Sequence, residues 1–544
     1  MLSNVFFFLC AVIFVCCLLL GGGTKAGFIS DTIIQLVAIP LLLVSLWRLS
    51  DLLSVKPMRW ALAFCFAIVL VPLLQLVPLP PEIWTALPNR EPVTAAFGLL
   101  QQEPPWMPIS VSPHATALSA LSLLPPVAIF LAMLSLGNRE RRLMSLVLLG
   151  VGVISVVVGL NQIAQGPTSP LRFYAYTNPT EAVGFFANRN HFAAFLYAVT
   201  MIAAAWAVEA VSAFEAGRRS REGGGIVSLA AAFTVLVALV AAQAMARSRA
   251  GLGLTIVALA GAFALAFFDR RDASGFTPAR LLLSATGLAI MFAAQFALYR
   301  ILERFSADQL EDTRITFARN TIEAAKAYMP FGSGLGTFVP VYAMFEKPEE
   351  ALIDTYVNRA HNDAIELWLE AGAIGIVLMA LFLAWLVAAS WKLWRGEGAG
   401  AAGIDLLLAR AATVIVALLV AHSFVDYPLR TGGMMALMAF ACGLLIAPPA
   451  SAEAEHEAPA DRPKARRRKA ERPEARRQEP VESPAAKAPQ RPRTPASAPA
   501  SPPAADRPGE PWGQGIQWPA EWRSSTKQRP APKPPRSGEP PKEE

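Results

Sequence analysis

The sequence has few charged residues, which cover the surface of a soluble protein, and few cysteines, which cross-link small secreted folds. Only 16% of its 544 residues are charged and 54% are hydrophobic, whereas about 25% of residues in an ordinary soluble domain are charged. These shortages argue against a soluble cytosolic enzyme. Five cysteines lie inside apolar runs and form no CxxC pair, which excludes a disulfide-held secreted scaffold. They are Cys10, Cys16, Cys17, Cys65 and Cys442.

The motifs of nucleotide and metal enzymes are also missing. The glycine-rich segment PFGSGLGTF (330–338) ends without the Gly-Lys-Ser/Thr of a phosphate-binding loop, so we interpret it as a structural turn. The sequence has no Asp-x-Asp pair that could hold a divalent ion against a nucleotide diphosphate. None of the five histidines has a second histidine at metal-ligand spacing. We therefore predict no metal, no cofactor and no nucleic-acid partner.

Long apolar runs fill the chain up to residue 447. A helix needs about 20 apolar residues to cross a bilayer core, and twelve runs approach that length. The first run lacks a basic n-region and an A-x-A cleavage site, so we expect a retained helix. The pattern predicts an all-α polytopic integral membrane protein with about 12 transmembrane helices. The runs are 5–22, 29–47, 60–78, 115–136, 143–164, 189–212, 226–246, 251–268, 281–299, 372–391, 406–425 and 432–447.

The composition changes abruptly after this membrane domain, which we place at residues 1–447. Residues 448–544 contain 22 of the 44 prolines and very few aliphatic side chains. Such a segment buries too little apolar surface to offset its chain entropy, so we predict a disordered tail rich in proline and arginine. Its basic cluster at 462–477 has the charge to touch anionic membrane lipids. A solvated tail without a partner is the favoured interpretation.

Lysine and arginine in the short loops predict the orientation, because cytoplasmic loops carry more of them. One set of loops holds fourteen and the other six. This bias predicts that both termini and the tail lie in the cytoplasm. It places a large helical loop at about 300–371 on the other side of the inner membrane, in the periplasm of a Gram-negative cell. The basic set is 48–59, 137–142, 213–225, 269–280 and 392–405, and the other is 23–28, 79–114, 165–188, 247–250 and 426–431.

The large loop contains an amphipathic helix at about 310–329. Its apolar residues recur at helical spacing, and Pro330 is expected to stop it. Arg314 lies near the start of this helix, where the acidic neighbours Glu311 and Asp312 offer an ordinary ion pair. The recurring apolar residues are Ile315, Ala318, Ile322, Ala325 and Met329.

Two arginines occupy a very short turn on the face that the charge bias disfavours. Arg247 and Arg249 stand in MARSRAG, between the seventh and eighth runs. Snorkelling to headgroups would explain one arginine. Two of them held by a tight turn favour a site for an anionic group, because arginine grips phosphate bidentately and keeps its charge. The interpretation is stronger for Arg249.

A polar string stands at the entrance to the tenth predicted span. In RAHNDAIELWLEAGAIG (359–375), Asn362 is a good helix N-cap, and Asp363 and Glu366 follow in the first turn. His361 therefore lies at the water–membrane boundary, where an imidazole can accept a proton from a bound hydroxyl. His191 and His422 also lie near outer helix ends but are less telling. The outer face thus combines cations with a candidate base, which suits an amphiphilic ligand with an anionic head.

An ordered set of motifs resembles the O-antigen ligase/polymerase family of bacterial envelope glycan transferases. The resemblance covers roughly residues 60–447, and the number of helices and the large loop before the tenth helix agree with it. The matching strings are LVPLPPEIW (76–84), GFFANRNHFAAFL (184–196), SRAG (248–251), TRITFARNTIEAAKAYMPFGSGLGTF (313–338), RAHNDAIELWLEAGAIG (359–375) and HSFVDYPLR (422–430).

The resemblance implies transfer of a glycan from an undecaprenyl-pyrophosphate carrier to an acceptor hydroxyl outside the inner membrane, by a metal-independent, inverting reaction. Arg249 and Arg314 would match the arginines that hold the donor pyrophosphate, with Arg247 beside them. His361 would match the histidine that deprotonates the acceptor. Residues expected to support them are Asn362, Arg189 and Asn190.

Three branches of the family stay open. The acceptor is lipid A-core for an O-antigen ligase, a growing polysaccharide for a repeat-unit polymerase, or a protein for an O-oligosaccharyltransferase. A transporter with periplasmic arginines as a selectivity filter is a further alternative. We favour the transferase, because no chain of charges at membrane depth and no inverted repeats are evident.

Overall fold

The computed structural model is almost entirely helical. It describes residues 2–24, 27–53, 55–220, 226–268, 287, 310–351, 356–396 and 403–447, so the predicted tail lies outside the described residues. Strands β1 (Pro78–Leu79) and β2 (Met107–Pro108) form one antiparallel pair, and 3₁₀ turns cover Pro348–Glu350 and Pro428–Arg430. The helices are α1 Leu2–Leu20, α2 Ile29–Trp47, α3 Leu49–Leu53, α4 Lys56–Gln75, α5 Pro81–Trp84, α6 Glu91–Leu99, α7 Pro113–Ser122, α8 Leu124–Ser135, α9 Asn138–Gln165, α10 Arg189–Ser220, α11 Ile226–Met245, α12 Arg249–Phe267, α13 Leu310–Ala327, α14 Phe338–Phe345, α15 Asp363–Arg395, α16 Ile404–His422 and α17 Gly432–Leu445.

Eleven of the twelve predicted apolar runs correspond to helices. Nine helical segments in the described part of the chain are long and apolar enough to cross a membrane, and two shorter apolar helices cover Asn4–Leu20 and Gly432–Leu445. The predicted run at 281–299 lies outside the described residues apart from Gly287. The helix predicted at 310–329 is confirmed as α13, which ends at Ala327. Its predicted apolar face is only partly buried, since Ile315 is exposed whereas Phe317, Ala324 and Tyr328 are buried.

The long helices α10 and α16 form the buried centre of the bundle. Small residues let neighbouring helices approach them closely, since lipid offers no hydrophobic drive for association and close packing must supply it. Gly251 of α12 lies against Ala193 of α10, and ten residues later Gly261 lies against Val414 of α16. The first turn of α12 is therefore level with the first turn of α10.

Helix ends rich in arginine gather at one end of the bundle. Arg141 donates to the carbonyls of Leu136 and Ile446, and Arg142 forms a bidentate ion pair with Asp405. Arg410 of α16 is buried and donates to the carbonyls of Phe268, which follows α12, and Leu393 in the last turn of α15. The described residues of the loops at 137–142 and 392–405 thus share one face with the ends of α12 and α17.

The loops of the other set meet at the opposite end. Gly433 N–H donates to Gly21 O at 2.8 Å, and Ala182 N–H donates to Met245 O at 3.1 Å. Asp363 N–H donates to Ser423 O at 2.7 Å. Where the structure describes them, the loop ends that contact one another fall into the same two sets as in the charge count. That the basic set faces the cytoplasm stays a prediction.

We expect cysteine labelling to determine this orientation. In a cysteine-free background, Lys347→Cys should react with an impermeant maleimide in intact spheroplasts, because this exposed lysine belongs to the face with few basic residues. Arg139→Cys, at a position that is also exposed but belongs to the arginine-rich end, is the matched control and should react only after lysis. The reverse pattern would place the candidate site on the cytoplasmic side.

The glycine-rich turn docks into a break in α15. Gly372 interrupts the helix with φ +57°, and Ala373 N–H donates to Pro330 O at 2.8 Å. Gly334 N–H donates to Glu370 O at 3.0 Å, and a Cβ at Gly332 would collide with the backbone at Glu370. These contacts support the structural interpretation of the turn, which holds α13 against the N-terminal part of α15.

Candidate active site

His361 lies immediately before α15 in a conformation that few residues adopt. Its φ is +52°, a left-handed value that side chains with a Cβ rarely take. Asn362 then caps the helix by accepting two backbone N–H bonds, as predicted. Asn362 also donates to Phe424 O at 2.8 Å, which fastens this segment to the loop after α16. The backbone conformation at His361 and the contacts of Asn362 therefore fix the direction of the imidazole.

A buried carboxylate orients this imidazole. Asp426 accepts a hydrogen bond from His361 Nδ1 at 3.0 Å and another from Asn190 Nδ2 at 2.7 Å. Burial would raise the pKa of Asp426, but the His361 bond and the neighbouring imidazoles of His191 and His422 outweigh it and lower this pKa well below its usual range. An ionised carboxylate only accepts, so Nδ1–H of His361 is the donor in this bond, and in the neutral ring Nε2 is the acceptor.

Two aromatic rings hold the imidazole from its face and its edge. Phe317 of α13 is stacked on it, with ring centroids 6.1 Å apart, and Tyr427 meets it edge-to-face at 4.9 Å. Burial and the charge of Asp426 raise the pKa of Tyr427 to about 12, so its phenol stays protonated. His361 nevertheless retains 20% of its side-chain exposure. The ring is thus fixed without being sealed from a substrate.

Arg314 belongs to the same surface of α13 as Phe317. The two residues are three apart, which places them on one face of the helix about 5–6 Å from each other. Arg314 is half-buried and interacts electrostatically with His422. Among the described side chains no carboxylate pairs with it. The ion pair expected as the ordinary explanation involves Glu311 and Asp312, whose side chains lie outside the described set.

The turn before α12 reaches the same end of the bundle. Arg249 is the first residue of α12 and half-buried, and Gly251 packs against Ala193, two residues beyond His191. Arg247 is exposed, with φ +50°. Arg249 at the start of α12 and Asn190 at the start of α10, which bonds to Asp426, therefore lie at neighbouring helix ends on the same face of the bundle. Arg247 points its side chain to the exterior.

The other predicted supporting residues have different partners. Asn190 bonds directly to the buried carboxylate of Asp426. Arg189, the residue before it, forms an ion pair with Glu181 at 2.9 Å that fastens the preceding loop to α10. Asn190 thus touches the residue that orients His361, whereas Arg189 supports the backbone.

A buried charge network anchors the segment that carries His361. Arg430 bonds to Glu370 at 2.6 Å and to Asp363 at 3.3 Å, and Arg359 bonds to Glu366 at 2.8 Å. Burial lowers the pKa of Arg430, but the three carboxylates outweigh it and raise this pKa. The sequence interpretation assigned Asp363 and Glu366 to the helix dipole. The structure shows that they also bind the two arginines that bracket the site.

Sequence reasoning gave too little weight to Asp426, His191 and His422. His191 and His422 are fully buried, and both interact electrostatically with Asp426. His191 packs edge-to-face on Tyr427 at 5.0 Å. A signal was present, because His422 and Asp426 are four residues apart in HSFVDYPLR and so share a helical face. Within the described ranges, no three or more His, Cys, Asp or Glu residues form a group that could hold a metal ion.

Comparison with known proteins agrees with the resemblance stated from the sequence. Residues 220–380 match the O-antigen ligase family. The matched region contains Arg247, Arg249, Arg314 and His361, and it ends before Asp426. A comparison with curated proteins found no match. The match covers 161 of the 544 residues and agrees with the resemblance that the sequence motifs carry.

Proposed function

On the premise of this O-antigen ligase match, we propose that the protein transfers a glycan from an undecaprenyl-pyrophosphate carrier to an acceptor hydroxyl at the periplasmic face. The observation that carries the proposal is the hydrogen bond of 3.0 Å between His361 Nδ1 and the buried Asp426. It leaves Nε2 free to accept a proton, on the same side of the bundle as Arg314 and Arg249. A general base beside fixed cations is what this transfer requires.

The reaction is a single displacement in this scheme. His361 Nε2 takes the proton of the acceptor hydroxyl while the oxygen forms a bond to the anomeric carbon of the donor glycan. The bond between that carbon and the pyrophosphate oxygen breaks, and its electron pair leaves with the undecaprenyl pyrophosphate. Asp426 stabilises the imidazolium that forms, without taking its proton. One displacement inverts the anomeric configuration.

The arginines act on the leaving group. Pyrophosphate gains negative charge as the bond breaks, and a guanidinium offers several N–H donors that stay charged at any physiological pH. In this proposal the pyrophosphate is bound by Arg314, which α13 carries, and by Arg249, the first residue of α12. Arg247, which is more exposed, adds positive potential at the entrance. Charge stabilisation of this kind acts without a metal ion.

We expect Arg314→Ala and Arg249→Ala each to weaken donor binding about 10- to 100-fold, the range for losing a hydrogen bond between charged groups. Arg314→Lys should recover part of the loss, because a point charge does not reproduce the bidentate grip. Binding of a labelled undecaprenyl-pyrophosphate glycan to purified protein in detergent is the measurement.

The matched control is Arg319→Ala, which removes an exposed arginine of the same helix that pairs with Glu350. It should bind the donor normally. Normal binding by both Arg314→Ala and Arg249→Ala would remove the basis for the donor site and leave snorkelling as the explanation of these arginines.

The acceptor separates the branches of this function. Glycan analysis of a deletion strain distinguishes them, because each branch leaves a different intermediate. Polymer accumulating on the carrier, with lipid A-core lacking polymer, identifies a ligase for lipopolysaccharide. Single repeat units identify an O-antigen or exopolysaccharide polymerase. Loss of glycoprotein with normal lipopolysaccharide identifies a protein O-oligosaccharyltransferase.

A further inference from the structure

The segment between α4 and α7 exposes several large apolar side chains. We call this segment, residues 76–112, the surface arm; it contains β1, α5, α6 and β2. Leu99 is 87% exposed, and Leu100 and Trp106 are each 65% exposed. A single exposed leucine is ordinary, but several large apolar residues exposed within one short segment mark a surface that contacts something. The other two in the surface arm are Val77 and Ile83.

Helix α6 turns an apolar stripe outward. None of its nine residues is buried. Pro92, Ala95 and Leu99 are exposed, and their spacings of three and four residues place them on one face of the helix. A surface helix in water shows the opposite pattern, with polar residues on its exposed face. The exposed face of α6 therefore suits an apolar medium.

Contacts hold the surface arm at the ends of two membrane spans. The segments on either side of it, Lys56–Gln75 and Pro113–Ser135, are both long and apolar enough to cross a membrane. Ser110 N–H donates to Gln75 O at 3.0 Å, and β1 pairs with β2 directly beyond this bond. Trp84 Nε1 donates to Pro105 O at 2.8 Å and folds the arm onto itself. The arm is thus a compact unit at the level where both spans leave the bilayer.

The surface arm belongs to the end of the bundle that carries the candidate site. Val111 N–H donates to Ser333 O at 2.9 Å, and Leu335 N–H donates to Gln75 Oε1 at 2.9 Å. Ser333 and Leu335 are part of the glycine-rich turn that holds α13 against α15. The membrane leaflet nearest the arm is therefore the one on the side of His361.

The charges of the surface arm do not favour electrostatic attachment to a membrane. Arg90 is buried and donates to Ile109 O, so the exposed charges are all acidic. Anionic headgroups attract basic segments and repel acidic ones. The nine residues of α6 span about 14 Å, too little to cross a bilayer core of about 30 Å. The charged residues of the arm are Glu82, Arg90, Glu91 and Glu103.

We propose that the surface arm is embedded in the interface between lipid and water of this leaflet, with Leu99, Leu100 and Trp106 among the acyl chains. The bilayer lipid covers the apolar stripe of α6, as a continuation of the lipid surface around the two flanking spans. Interfacial helices lie about 5–10 Å into the boundary between headgroups and acyl chains, and tryptophan is enriched at that level. The arm fastens the candidate-site end of the bundle to the membrane. This attachment is independent of glycan transfer.

Fluorescence quenching in the full-length protein tests the contact. Leu99→Cys and Trp106→Cys are labelled with bimane in a cysteine-free background and reconstituted in phosphatidylcholine nanodiscs that contain lipid with a doxyl group near the top of one acyl chain. This lipid should quench both labels about twofold or more beyond a label at Gln102→Cys, since inserted side chains reach its depth. Iodide in the water should quench in the reverse order. Gln102 is the matched control, because it is exposed in the polar turn after α6.

Further variants make the outcome specific. Leu74→Cys, exposed at the end of α4, is the positive control for contact with lipid. Leu99→Glu combined with Leu100→Glu should reduce quenching of the Trp106→Cys label by the doxyl lipid, because a carboxylate resists transfer out of water. Gln101→Glu combined with Gln102→Glu should leave it unchanged. Adding phosphatidylglycerol or salt should also leave it unchanged, because apolar contact needs no cations.

Three results would overturn the embedded arm. A label at Leu99→Cys as open to iodide as the label at Gln102→Cys would place the stripe in water. A label shielded from both quenchers would show that protein covers the stripe, either a second copy of this chain or another of its segments. Quenching that appears only with phosphatidylglycerol would contradict an apolar attachment. Failure of the proposed function would leave all these readings unchanged, because the measurement contains neither donor nor acceptor.

Discussion

His361→Ala should slow single-turnover glycan transfer by about 10²–10⁴-fold, the usual loss on removing a general base. Donor affinity should stay near the wild-type value, because the residue contacts the acceptor hydroxyl and not the pyrophosphate in the proposed scheme. The measurement compares single-turnover transfer with donor binding on the same purified protein. This split between rate and affinity is the opposite of that expected for the arginine variants.

The backbone at this position requires a second variant. His361 has φ +52°, a value that alanine tolerates poorly and asparagine tolerates better. His361→Asn should therefore preserve the turn while removing the base, and it should lose as much activity as His361→Ala. Transfer at the wild-type rate by folded His361→Asn would refute the assignment of the base.

Asp426→Asn should reduce transfer by up to about 10⁴-fold, the size of loss seen when the aspartate behind a catalytic histidine becomes an amide. The amide can donate to His361 Nδ1, which favours the tautomer with its proton on Nε2 and so removes the acceptor. Because the pKa of Asp426 is lowered, the carboxylate stays ionised through the neutral range. An acid limb between pH 5 and 8 should therefore not arise from Asp426.

The matched control for this variant lies at the other end of the bundle. Asp405→Asn removes a carboxylate that pairs with Arg142 on the arginine-rich face, far from the site in the fold. It should leave single-turnover transfer unchanged. Equal and small effects of Asp426→Asn and Asp405→Asn would show that the carboxylate beside His361 does not tune the base.

Much of the membrane fold was predictable from apolar runs alone. A bilayer demands helices of about 20 apolar residues whose backbone groups are satisfied internally, so composition and length locate the helices without tertiary information. The apolar run alone would begin α15 at residue 372, and it was the predicted N-cap at Asn362 that located its observed start at Asp363. Its first turns carry Asp363, Glu366 and Glu370, and a search for continuous apolar runs leaves such charged turns out. Arg359, just before the helix, pairs with Glu366. Arg430, in the turn after α16, pairs with Glu370.

The sequence by itself determined which residue types could do chemistry at the outer face. It singled out His361 from its place before a capped helix, and Arg249 from a tight turn on the face with few cations. Only the tertiary structure decided which of these groups meet. Asp426 lies 65 residues beyond His361, and Phe317 reaches the imidazole from a separate helix. Periodicity reports the face of one helix, whereas the packing of several helix ends brings a carboxylate and three histidines together.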